Sequence, residues 1–206
     1  MRGAQLGGYR SHGGDVRQQF VVWLRPVAGK PGLLLLNFLN PWNLNFWRNG
    51  MVDEAKNKPV LVPVDFSPHS EAALLKACEL AECMKLPIVV LHVVHDPSDM
   101  QGYYKRTAKK KQLVRIEDIA QEMLDDFIDS LTNKYPKIKL LKSIEKKLVI
   151  GLPVTRILEV AKKIEAAMVI MGSQGRTGLK HLMLGSKAEQ VVRLCPLPVV
   201  IVKKST

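Results

Sequence analysis

The chain of 206 residues predicts an α/β fold: one domain with a doubly wound, mainly parallel five-stranded sheet, strand order 3-2-1-4-5, and helices on both faces. Three observations carry this. From residue 58 onward, short apolar runs alternate with stretches of helical period, in the order β-α-β-α-β-α-β-α-β. Most of the runs are continuously apolar rather than alternating, as strands covered on both faces are. The connections between them are long enough for crossover helices, which makes neighbouring strands parallel.

The elements follow in order. Val60-Leu-Val-Pro-Val-Asp65 reads as a buried strand. Ser67-Pro68 then starts a helix, with serine as the N-cap and proline at the first helical position. Leu74, Ala77, Cys78 and Ala81 recur at helical spacing and form its inward stripe. Ile88 to Val94 is the second strand. A loop with Asp96-Pro-Ser and the basic run Lys105–Lys111 leads to a long amphipathic helix over about 108–134, with Ile116, Ala120, Met123, Phe127 and Leu131 on one side. Lys139 to Ile150 reads as the third strand. Pro153 opens a helix that turns Val154, Ile157, Ala161 and Ile164 inward. Met168–Met171 is the fourth strand, a helix runs from about 185 to 194, and Val199–Val202 is the fifth strand.

Residues 1–50 differ in kind. They hold all three tryptophans, many glycines and asparagines, and no sustained period. They carry six basic side chains and one acidic, Asp15, hence +5; the other 156 residues carry 25 basic and 18 acidic, hence +7. Their longest apolar stretch, Leu33 to Leu36 with Asn37-Phe-Leu39, is too short to span a bilayer, and it lies too far from the start for a signal peptide. The segment reads as a disordered extension or a start placed before the true one at Met51, with a transit peptide as a fainter alternative. The overall charge of +12 suits anionic ligands but is modest for a nucleic-acid binder. Three cysteines indicate no disulfide framework and point to a reducing compartment, the cytoplasm.

Ligands in such sheets bind at the carboxyl ends of strands, where the strand order reverses. No G-x-x-x-x-G-K-[ST] occurs, and no G-x-G-x-x-G follows the first strand, which excludes a P-loop and a dinucleotide fingerprint. The segment after the fourth strand supplies the remaining candidate: Gly172-Ser-Gln-Gly175, then Gly185-Ser186 opening a helix. Glycines admit close backbone approach, and the unpaired N–H groups of a helix start favour an anion. Asp65, at the end of the first strand, faces the same crevice; it either accepts from an amine or ribose hydroxyl or caps the helix that follows. Ser186 is a second cap candidate. Among blander elements, His92 reads as a core or crevice histidine, a metal pair with His95 being the remote option. Asp65, Ser67 and His69 lack the separation of a hydrolytic triad. Lys105–Lys111 reads as a solvated lead-in and Cys195 as inert.

On these residues the chain resembles the ATP-binding branch of the universal stress protein family over about residues 57–204. The likeness rests on Val60-Leu-Val-Pro63-Val-Asp65-Phe-Ser67, Leu91-His92-Val93, Gly151-Leu-Pro153 and Ile170-Met171-Gly172-Ser-Gln-Gly175. It rests also on the spacing G-x2-G-x9-G-[ST], met by Gly172, Gly175, Gly185 and Ser186, and on the terminal Pro198–Val202. The resemblance implies adenine held around Pro63, Val64, Asp65 and Val93, and ribose and phosphates around Met171, Gly172, Gly175, Arg176, Gly185, Ser186 and Lys187. Lys187 stands where many members carry a small apolar residue, and its ammonium could add a phosphate contact. The cofactor implied is ATP, with Mg2+ as its accompanying cation. The partners implied are a second copy, joined through Val199–Val202, and an unidentified protein, with neither nucleic acid nor membrane. The function implied is a nucleotide-responsive stress sensor or regulator. A slow ATPase or nucleotidyl-transfer enzyme, and a structural dimer module with a vestigial site, stay open as alternatives, since no residue near Arg176, Lys180 and His181 is marked as catalytic.

Overall fold

The computed structural model describes residues 57–95, 116–175 and 184–204, together with the backbone of two short strands at 20–24 and 32–34. The elements are β1 (Phe20–Leu24), β2 (Gly32–Leu34), β3 (Val60–Val64), α1 (Pro68–Met84), β4 (Ile88–Val94), α2 (Ile116–Lys134), β5 (Glu145–Ile150), α3 (Pro153–Lys163), β6 (Met168–Gly172), α4 (Ser186–Leu194) and β7 (Val199–Val202).

The sheet order is β2-β1-β7-β6-β3-β4-β5. Its five strands from residue 60 onward pair in parallel throughout, and counted from β3 they give the expected order 3-2-1-4-5. Successive residues of each strand serve opposite faces, as the strand period of two requires. Val60, Val62 and Val64 join Ile88, Val90, Met168, Ile170, Val200 and Val202 in one core, under α1 and α2. Leu61, Val89, Leu91, Val93, Val169, Met171, Val199 and Ile201 join Ile157, Val160, Ala161, Ala188 and Val191 in the other, under α3 and α4. The first two crossovers therefore lie on one face and the last two on the other. The winding reverses between β3 and β6, and a crevice opens at their carboxyl ends.

α1 sits close to the sheet because its inner stripe is small: Ala73, Ala77 and Ala81 are fully buried. Its start follows the expected Ser67-Pro68 signal, with Ser67 as N-cap. Its end is a left-handed Lys85 at φ 56, whose N–H reaches the Ala81 and Glu82 carbonyls. Cys78 is buried and Cys83 exposed, on different faces of this helix as expected.

Two readings need revision or restriction, and two further observations bear on the segment before residue 51 and on the last strand. Lys139–Ser143 is a 3-10 helix rather than the start of the third strand, which begins at Glu145. Leu141 turns into the core there, and the Ser143 hydroxyl donates to the Leu140 carbonyl at 3.1 Å, a local bond that closes the turn. α2 begins at Ile116 among the described residues, and the expected start near 108 lies outside them. Two strands, β1 and β2, fall in the segment read as a disordered extension or misplaced start; they pair antiparallel with one another. Finally, β1 also pairs antiparallel with β7, Phe20 opposite Val202 through Trp23 opposite Val199. The outer edge of Val199–Val202, expected to meet a second copy, is thus occupied by the same chain. An uncharged run of β-branched residues offers its edge to any strand that reaches it.

Candidate functional site

The crevice at the β3/β6 reversal holds a cavity of about 200 Å³. Its lining brings together Pro63, Val64, Asp65, Val93, Met171, Gly172, Gly175, Gly185, Ser186 and Lys187. Arg176 lies outside the described residues. The sequence reading did not assign Leu91, His95, Pro153, Ile157, Gln174 and Ala188 to the site, yet they line it as well. Ile157 and Pro153 come from the opening of α3, and the inward stripe and helix-start proline were visible in the sequence without a motif to tie them to a ligand.

On the β3 side, the chain leaves the sheet through Asp65 and Phe66. Phe66 has φ 64, in the left-handed region that L-residues with side chains avoid. The Asp65 carboxylate accepts from the Ser67 N–H at 3.1 Å, and the Ser67 hydroxyl accepts from the Ser70 N–H at 3.2 Å. Asp65 therefore braces the turn, while Ser67 caps α1. Beneath the turn lies His92, 1% exposed. Its Nδ1 is 2.9 Å from the Val64 carbonyl. A carbonyl can only accept, so Nδ1 carries the proton. Among the described residues no group of three histidine, cysteine or acidic side chains could hold a metal ion.

On the β6 side, each glycine has its own reason. A Cβ at Gly172 would lie 2.8 Å from the His69 backbone, so glycine there lets the start of α1 settle against the end of β6. A Cβ at Gly175 would lie 2.8 Å from Asp65 Oδ2, so glycine there lets the two sides of the crevice approach without displacing the carboxylate. The Gly185 N–H donates to the Ser173 carbonyl at 2.7 Å, and the Ser173 N–H donates to the Val202 carbonyl at 2.9 Å; these bonds pin the helix start to the sheet. Gly185, at φ −71 and ψ 149, is the N-cap of α4 and provides no side-chain cap. Ser186 is thus the first helical residue, one place later than a capping serine. The first helical bond there runs from the Glu189 N–H to the Gly185 carbonyl at 2.9 Å. The N–H groups of Ser186, Lys187 and Ala188 precede it and have no acceptor within the helix. All three residues line the cavity.

His69, at the start of α1, has its pKa held below the ordinary 6.5: burial disfavours its charged form, Lys204 repels it, and Asp65 pulls the other way. Burial raises the Cys195 thiol as well, with a backbone bond at Leu197 opposing, and this agrees with an unreactive side chain.

The fold and this arrangement define an α/β protein with a crevice at the topological switch point, beside a helix start that no side chain caps. Residues 56–203 match the Universal stress protein family, and the chain belongs to that family. It is 28% identical over 163 residues to universal stress protein MJ0577 of Methanocaldococcus jannaschii, a match that covers 71% of this chain and 95% of the relative. A universal stress protein of Mycolicibacterium smegmatis is 29% identical over 145 residues; the match spans 70% of this chain but only 45% of that longer protein. Among solved structures, MJ0577 superposes with a TM-score of 0.51 at 23% identity, over 72% of this chain and 97% of that one. A universal stress protein in complex with cAMP superposes with a TM-score of 0.50 at 19% identity, over 72% and 98%. These superpositions establish the fold. No helix among the described residues is long and apolar enough to cross a membrane.

Proposed function

We propose that the crevice binds ATP and that the protein acts as a nucleotide-responsive regulator of stress physiology in the cytoplasm. The observation that supports this most is the uncapped start of α4, which faces the same cavity as Gly175 and Asp65. Phosphates would accept from the N–H groups of Ser186, Lys187 and Ala188, with the Lys187 ammonium beside them. The adenine and ribose would occupy the apolar end between Pro63, Val93, Pro153, Ile157 and Met171, and Asp65 would accept from a hydroxyl or amine. Mg2+ would arrive on the phosphate oxygens. A universal stress protein of the same fold has been solved in complex with cAMP, which supports an adenine nucleotide as the ligand.

Magnitudes agree with reversible binding. A hydrogen bond to a charged group is worth about 1.5–3 kcal/mol. Four or five, reduced by the ordering of association, reach the ~8 kcal/mol that micromolar affinity needs. Bound nucleotide would change the surface offered to a partner protein beside the crevice. Self-association through β7 would require β1 to leave that edge.

Calorimetric titration of the full chain with ATP, with and without magnesium, tests the reading. Micromolar binding with ATP recovered intact is the expected result. Absence of binding would remove the proposal, and steady release of ADP would replace it with slow ATP hydrolysis.

A further inference from the structure

The sharpest irregularity beside the crevice belongs to a residue that does not line it. Phe66 adopts φ 64 between Asp65 and the N-cap Ser67. Glycine would adopt this conformation without steric conflict, whereas phenylalanine must be held in it. The holding contacts are visible. The Phe66 ring lies 4.3 Å from the His92 ring, centroid to centroid, at an interplanar angle of 31°. It meets the Phe127 ring of α2 edge-on at 5.6 Å. His92 is itself fixed by its bond to the Val64 carbonyl. The ring is thus trapped between β4 and α2, and the backbone on either side of it has little freedom.

Asp65 is what this trap aims. Its Oδ1 accepts from the Ser67 N–H, just beyond Phe66. Its Oδ2 reaches the place a Gly175 Cβ would fill, across the crevice. If residue 66 relaxed to φ near −65°, the chain direction between Val64 and Ser67 would change, and with it the line of the carboxylate.

We propose that Phe66 is a positioning residue: its ring, wedged between His92 and Phe127, imposes the left-handed turn that points Asp65 at Gly175. Nucleotide affinity then depends on an aromatic side chain outside the cavity, and on α2, which supplies Phe127. This rests on the nucleotide reading of the crevice, and it adds a role that no lining residue has.

The test uses the full chain and four single variants, Phe66→Ala, Phe66→Leu, Phe66→Gly and Asp65→Asn, with the double variant Asp65→Asn/Phe66→Ala. ATP affinity is read by calorimetry and stability by thermal unfolding. Phe66→Ala and Phe66→Leu should each weaken ATP about tenfold; the leucine keeps apolar bulk if alanine compromises folding. Because the ring acts through Asp65, the double variant should bind as Asp65→Asn alone does, within about twofold. A side chain that merely supports the fold would instead give losses that multiply. Phe66→Gly should also unfold at a higher temperature than Phe66→Ala, the reverse of the usual order, because only glycine relieves the turn. Unchanged affinity in the alanine and leucine variants, multiplying losses, or glycine no more stable than alanine would each overturn the proposal. The glycine–alanine order is readable even if the parent binds no ATP, an outcome that would remove the nucleotide reading itself.

Discussion

Two helices begin at the crevice, one on each side of the point where the sheet reverses, and they begin in opposite ways. α1 is closed by its own sequence. Pro68 has no N–H to satisfy, the Ser67 hydroxyl takes the Ser70 N–H, and the Ser70 hydroxyl in turn donates to the Ser67 carbonyl at 2.9 Å. α4 is left open: Gly185 has no side chain to turn back on the helix, and the residues of its first turn line the cavity. Both helices carry the same kind of dipole, so the dipole alone does not distinguish them. What distinguishes them is the cap. A helix start receives an anion where the sequence withholds the residue that would have satisfied it, and Ser67 against Gly185 is that difference in one position each.

The contrast breaks most completely when the open side is filled. Gly175→Val places a branched side chain where even a Cβ would lie 2.8 Å from Asp65 Oδ2. Two or more phosphate bonds should be lost, which corresponds to at least about a hundredfold weaker ATP binding by calorimetry. Parent-like affinity in this variant would show that phosphates do not pass this glycine.

A subtler change makes α4 resemble α1. Gly185→Asp supplies a capping carboxylate at allowed backbone angles, φ −71 and ψ 149, with the nearest outside atom 3.4 Å from the new Cβ. The carboxylate should take the donors that the proposal assigns to phosphate and repel it, weakening ATP by roughly ten- to thirtyfold, while stability holds or rises by a few tenths of a kcal/mol. Affinity lost together with stability would indicate a distorted loop instead. The converse change opens α1. Ser67→Ala should cost about 1 kcal/mol of stability through the lost cap, measured by urea unfolding, and shift ATP affinity no more than about threefold, or ~0.7 kcal/mol. If Ser67→Ala weakened ATP as much as Gly185→Asp, the two helix starts would not be separable in function.

How far the sequence revealed this depends on whether local or distant residues decide each feature. Four strands of the parallel sheet, β3, β4, β6 and β7, were legible because burial leaves continuous apolar runs, and the start of α1 because serine followed by proline acts locally. Residues at strand ends then fell into one crevice as a consequence of topology: Asp65 just after β3 and Gly172 at the end of β6 have no choice once those strands pair. Lys139–Ser143 was misread because Leu140-Leu141 looks like strand, while its turn is set by Leu141 docking under α1, a tertiary decision. At the start of α4, Gly185 is the cap and the candidate Ser186 is the first helical residue; glycine and serine both occupy caps, so the sequence alone did not choose between them. Residues 20–24 and 32–34 gave too short a period to mark them as strands. Neither the left-handed turn at Phe66 nor the contact of Gly172 with His69 has a sequence signal, because each depends on which side chain arrives from elsewhere.

The smallest effect separates the two helix starts by their response to acid. His69 stands in the first turn of α1, and its buried Nδ1 lacks a hydrogen-bond partner among the described residues. Its folded-state pKa lies below 6.5, through burial first and Lys204 second, with Asp65 opposing. Below pH 6.5 the unfolded chain therefore binds a proton more readily than the folded one. Stability on this account is fully present above that pH and declines as pH falls toward the lowered pKa. A cation in the first turn also opposes the helix dipole, which acts in the same direction. The first turn of α4, Ser186 to Ala188, holds no histidine. His69→Gln should therefore flatten the fall in unfolding temperature between pH 7 and pH 5, with little change above pH 7. An identical slope in parent and variant would mean that the acid sensitivity of the crevice arises somewhere other than the closed helix start.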